Sequence, residues 1–218
     1  MLRSILLFIL FLFFLSGNIN AHGDLHKRIK EVSEQIKNYP DSAYLYLKRG
    51  KLYLQHESYK KSLADLNKSQ RLGYNSIEQE LLFAKTHLKL EDYLKSINYS
   101  SGIIEKDPMN VRAIRLRALT YFEIGNFYQA ANDYDDVLRF ASEKIPENYI
   151  EAANAWELQK TEESNQRAID ILKTGIDKIG PIISLYDRIL ELYLDHQDHD
   201  AAILIQLEII DLMDRTVD

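Results

Sequence analysis

Residues 111–144 read VRAIRLRALTYFEIGNFYQAANDYDDVLRFASEK, two helical patterns separated by Gly125-Asn126. In the first pattern Ile114, Ala118 and Tyr121 fall three to four residues apart and share one helix face. In the second, Phe127, Ala130, Ala131, Tyr134 and Val137 do the same. Gly125 stands where the chain must reverse, and glycine accepts the positive φ that tight turns need. Ala118 and Ala130 are small enough for two helices to cross closely, while Tyr121, Phe127 and Tyr134 fill the space around the crossing. A helix pair with apolar residues on both sides cannot bury them alone, so it must stack on further copies of itself.

Those copies are present. Gly50, Ala84 and Ala118 lie 34 residues apart, as do Tyr53, His87 and Tyr121, then Tyr59, Tyr93 and Phe127, and then Ser62, Ser96 and Ala130. A 34-residue period with small, aromatic, aromatic and small residues in that order resembles the tetratricopeptide repeat (TPR) family. The resemblance covers about residues 43–216, with Asp107-Pro108 at the family's closing proline and Tyr74 in that place in the first copy. It implies an all-α fold, a right-handed α-solenoid of stacked antiparallel helix pairs (a TPR-like superhelix).

The repeats are expected at 43–76, 77–110 and 111–144, with divergent copies at 149–182 and 183–218, the last including a terminal helix. In the fourth copy this register puts Trp156 where a small residue belongs and leaves Ser142–Asn148, with Pro146, as a linker. Residues 22–42 hold one helix from Asp24 to Asn38, the second half of an extra repeat serving as an N-terminal cap. It carries Leu25, Ile29, Val32 and Ile36 on one face and stops at Tyr39-Pro40.

The first 21 residues read differently. Met1-Leu2-Arg3 is followed by an apolar run from Ser4 to Leu15, then by Ser16, Gly17 and Ala21, the order of a secretory signal peptide cut after Ala21. The run is short for a membrane span, so membrane contact is expected only if this segment stays uncleaved. The chain has no cysteine and a formal net charge of −6. Export without disulfides fits a bacterial periplasm or cell envelope. Mild acidity disfavours nucleic acid as a partner.

In the family the first helices of each repeat line a concave groove that holds a peptide or a partner's helix. Helical spacing assigns Tyr44, Leu47, Lys51 and Gln55 to that lining in the first repeat, and Glu78, Leu81, Lys85 and Lys89 in the second. The third supplies Arg112, Arg115, Leu119 and Phe122, the fourth Ala153, Glu157 and Lys160, and the fifth Asp187, Glu191 and Asp195. The lining is thus basic early and acidic late, and an acidic partner segment is expected near Arg112 and Arg115, since arginine pairs bidentately with carboxylates. The family's chaperone-binding members use a Lys–Asn–Asn–Lys–Arg clamp. Here Leu47, Leu82 and Leu116 occupy three of its places, which argues against that ligand.

The last helix offers a second surface. Residues 200–213 are apolar nearly all round, whereas repeat arrays usually end in a polar cap, so a partner or a second copy is expected there. This supports an alternative reading, a structural subunit of an envelope complex docked by that helix.

Catalysis is not indicated: the chain has no G-x-S-x-G, no Gly-rich phosphate loop, no H-E-x-x-H and no cysteine. No cofactor is expected and no metal site is assigned. His196 and His199 among Asp195, Asp198 and Asp200 read as an exposed turn, and His22, with His26 nearby, as chance placement beside the cleavage point.

Overall fold

The computed structural model describes residues 24–215, and the expected signal segment lies outside them. Eleven α-helices and no strand occur among the described residues. Helix α1 spans 24–38. Five helix pairs follow: α2 (Ala43–Gln55) with α3 (Tyr59–Arg71), α4 (Ile77–Lys89) with α5 (Tyr93–Lys106), α6 (Val111–Glu123) with α7 (Phe127–Phe140), α8 (Pro146–Glu157) with α9 (Glu162–Ile179), and α10 (Ile183–Asp195) with α11 (His199–Arg215). The fold is all-α and built of helical repeats. Among the described residues no helix is long and apolar enough to cross a membrane.

Side-chain caps start several of these helices. Ser76, Asn110 and Asn126 each accept a hydrogen bond from the third backbone N–H of the helix they precede. Thr161 and Ser164 close a reciprocal capping box on α9. Each pair turns through one residue in the left-handed region. Gly125 holds it at φ 76°, as its sequence position suggests, but the equivalent turns use Glu57, Glu91, Lys160 and Gln197 at φ 57–60°. Four of the five turns therefore carry a side chain where glycine would be unstrained.

The fourth pair corrects the expected register. Pro146 is the first residue of α8, a position where its missing N–H and fixed φ cost nothing, so the helix begins three residues before the expected 149. Ala152, one repeat length after Ala118, then takes the small position and is fully buried. Trp156 is half-buried at the margin, donating from Nε1 to Asp135 at 3.2 Å.

The described residues divide into two compact units, one up to Tyr99 and one from Ser100 onward. In the first, Val32 and Ile36 of α1 pack with Leu52, while Leu47, Leu54, Leu66, Leu82 and Phe83 form a second cluster. Gly50 lets α2 approach α3, since a Cβ there would stand 3.2 Å from Leu66 Cδ2. The second unit has one continuous core running from Ala118 through Tyr134, Ala152, Leu172 and Ile189 to Ile205.

One packing device appears twice. In the first unit Arg49 of α2 forks onto Asp65 of α3 at 2.7 and 2.8 Å, and its Nη1 donates to Ser33 of α1 at 3.1 Å. In the second unit, two repeat lengths on, Arg117 of α6 forks onto Asp133 of α7 at 2.8 and 2.7 Å and donates to Ser101 of α5 at 3.2 Å. Each guanidinium ties three helices together, and the carboxylate raises its already high pKa. Helix α1 thus stands to α2 as α5 stands to α6 in this contact. The repeat between them fills the same two positions with Phe83 and Tyr99, stacked at 5.0 Å between centroids and 6° between planes. Buried His87 extends that stack.

Candidate functional site

The lining residues of the first helices sit in different environments. On α2, Tyr44 is 58% exposed and stands over a cleft of about 220 Å³. Leu47 and Leu52 form the cleft's apolar floor, and Arg28, Lys48, Lys51, Gln55 and Glu78 its polar rim. Arg28 and Lys48 are exposed cations that repeat spacing did not select. Lys48 lies one position off the regular lining, and Arg28 comes from α1, which precedes the first full repeat. Lys51 reaches across to Glu78 of α4 at 2.7 Å, both side chains being about half exposed. Such a pair contributes little to stability and is readily exchanged for a ligand's charge. Lys85 and Lys89 are exposed on α4.

In the second unit the lining charges are already engaged. Arg115 of α6 donates from Nη1 to Glu151 of α8 at 2.7 Å and from Nη2 to Asn148. Burial pushes the Glu151 carboxyl up and Arg115 draws it back. Arg188 of α10 spans Asn154 at 2.7 Å, Glu157 at 2.5 Å and Glu191 at 2.9 Å. Phe122 meets Phe127 edge-on at 5.4 Å and packs on the core. Ala153 is buried, whereas Arg112, Asp187 and Asp195 are exposed. The expected carboxylate seat at Arg112 and Arg115 is therefore half filled from within, because Arg115 already holds a carboxylate of its own chain.

The terminal helix presents an apolar face, as its composition suggests. Ala202 and Ile205 turn inward, while Ile203, Leu204, Leu207, Ile210 and Met213 are between 49 and 62% exposed. Beside it lies a cleft of about 460 Å³, lined by Ile176, Tyr186, Ile189 and Leu204 together with Lys173 and Glu208. His196 and His199 are exposed at the α10–α11 turn. Among the described residues no group of three or more histidine or carboxylate side chains is placed to hold a metal ion.

Comparison with known proteins fits this architecture. No protein-family model matches the chain, and no curated protein matches it. Solved structures do. The C-terminal part of a TPR repeat-containing protein from Cytophaga hutchinsonii superposes with a TM-score of 0.75 at 14% identity, over 94% of this chain and 80% of that one. MamA from Desulfovibrio magneticus RS-1 superposes with a TM-score of 0.65 at 18% identity, over 82% of this chain and 98% of that one. YrrB, described as a TPR protein with an unusual peptide-binding site, gives 0.59 at 15% identity, over 84% and 88%. The fold is that of the tetratricopeptide repeat.

Proposed function

We propose that this chain is an exported scaffold that binds a segment of another protein, with the α1–α2–α4 face of the first unit as its seat. The observation that carries the reading is the cleft under Tyr44: an exposed aromatic ring, an apolar floor and cations at Arg28, Lys48 and Lys51. An exposed aromatic beside a small apolar pocket is the composition of a binding hot spot. The cations select a ligand carrying Asp or Glu next to an apolar anchor. The likeness to YrrB supports peptide binding as a use of this fold, and the leader-like sequence of the first 21 residues supports export.

Affinity capture from a bacterial envelope extract, read by mass spectrometry, tests this. A partner retained by the wild type and lost with Tyr44→Ala plus Lys48→Glu supports the seat. A partner retained equally by both proteins refutes it.

A second reading rests on the exposed apolar face of α11, through which the chain would dock as a structural subunit. Capture lost only with Leu204→Ser plus Leu207→Ser favours that reading over the first.

A further inference from the structure

His26 of α1 and His56, which follows the last residue of α2, meet at the end of the α1–α2 seam. Their Nε2 atoms are 3.1 Å apart, and the rings stand edge to face with centroids 4.4 Å apart. Zinc–nitrogen bonds of about 2.05 Å hold two ligand atoms about 3.3 Å apart at a tetrahedral angle and about 2.9 Å apart at a right angle. The observed separation falls between these values. Two imidazoles, one from α1 and one from the turn after α2, thus already stand at the spacing a single ion requires.

A second observation concerns the other nitrogen of His56. Nδ1 lies 3.0 Å from Ser58 Oγ. Ser58 occupies the N-cap position of α3, where a serine normally bonds a helix N–H, yet its side chain makes no capping bond. A lost cap costs about 1 kcal/mol. The serine instead stands against the imidazole: in the tautomer that carries the proton on Nδ1, Oγ accepts it and the Nε2 lone pair faces His26. Metal-bound histidines are oriented by such a bond on the far nitrogen. Between the two residues, Glu57 sits in the left-handed region at φ 57°, which brings His56 and Ser58 onto the same side of the turn.

We propose that His26 and His56 form a two-histidine chelate for a first-row transition ion of the zinc, copper or nickel class, with Ser58 as the positioning residue. Imidazole nitrogen suits those ions, whereas magnesium and calcium prefer oxygen ligands. Water fills the remaining coordination positions. Without the ion, the two rings share a hydrogen bond in which His26 donates. With it, His26 turns its proton to Nδ1 and both Nε2 atoms ligate. The ion pins α1 to the α2–α3 turn beside Arg28 and Gln55, two residues of the cleft described above. The chelate does not depend on what that cleft binds.

The test is isothermal titration of the full chain with zinc chloride, and separately with magnesium chloride. The expected result is one zinc per chain, a zinc-dependent rise in Tm, and no response to magnesium. His26→Ala or His56→Ala should each weaken zinc binding at least about tenfold, and Ser58→Ala by about tenfold, the usual effect of removing an orienting bond. His26 is exposed, so His26→Ala keeps the helical circular dichroism of the wild type and its loss of binding reports the site rather than the fold. His196→Ala plus His199→Ala should leave the titration unchanged. Wild-type protein that takes up no zinc, or zinc binding that survives both His26→Ala and His56→Ala, overturns the proposal.

Discussion

Replacing Arg117 by methionine should destabilise the second unit by about 3 kcal/mol. Arg117 and Asp133 are 23% and 8% exposed at their side chains, and the pair is bidentate with a third bond to Ser101. Removing one member of a buried pair costs about 3–5 kcal/mol, because the other charge is left without compensation. Water can still reach the rim of the guanidinium, which places the cost at the lower end. Burial already pushes the Asp133 carboxyl up against the pull of Arg117, so without the arginine it will tend to take up a proton. The intervening repeat supplies the matching rescue. Phe83 and Tyr99 fill the equivalent positions with a stacked pair, so Arg117→Phe with Asp133→Tyr should recover most of the loss, since a well-packed apolar pair often equals a buried ion pair. Urea unfolding followed by far-ultraviolet circular dichroism measures all three proteins. A single-variant cost below about 1 kcal/mol, or a double variant no better than the single, would refute the reasoning.

Other expectations follow from the same packing. Burial depresses the pKa of His87 against the opposing pull of Asp92. Stability from the neutral ring is therefore present above the unfolded value of about 6.5 and is lost as pH falls through the lower folded pKa. Melting curves should show an acid-side fall of Tm that His87→Phe reduces, and an unchanged profile would contradict this. Glu91→Gly should raise stability by up to about 1 kcal/mol by relieving its left-handed backbone. A lower urea midpoint would contradict that account of the turn. Ala118→Leu should cost at least about 1–3 kcal/mol by overpacking a fully buried crossing, and a neutral result in the same assay would mean that the helices are not tightly apposed there.

Much of this architecture is legible from periodicity alone, because one helix pair sets the spacing of the next. Helices α2, α4 and α6 start at Ala43, Ile77 and Val111, one repeat length apart, and α1 spans the expected residues 24–38. The fourth copy is misread because Pro146 reads as part of a linker, which puts the expected start at 149 and Trp156 in the small position. The decisive signals are smaller: a proline that starts a helix, and Ala152 at the repeat length from Ala118. That shift also displaces Glu151 from its true place, so Arg115 reads as free for a ligand when it is paired. The two serine–arginine–aspartate ties do leave a trace, since their members are spaced sixteen residues apart. Linking them requires knowing that three successive helices meet at one guanidinium. Arg28 is hidden for a related reason: α1 lies before the first 34-residue copy, so no periodic neighbour marks its lining face.

Fluorescence anisotropy of a labelled peptide carrying alternating aspartate and leucine, titrated with the chain, tests the binding role of the first unit most directly. Saturable binding that weakens at least about tenfold in Tyr44→Ala plus Lys48→Glu, and is unaffected by Leu204→Ser plus Leu207→Ser, is the predicted result. Binding that is indifferent to the first pair of substitutions, or abolished only by the second, would contradict it.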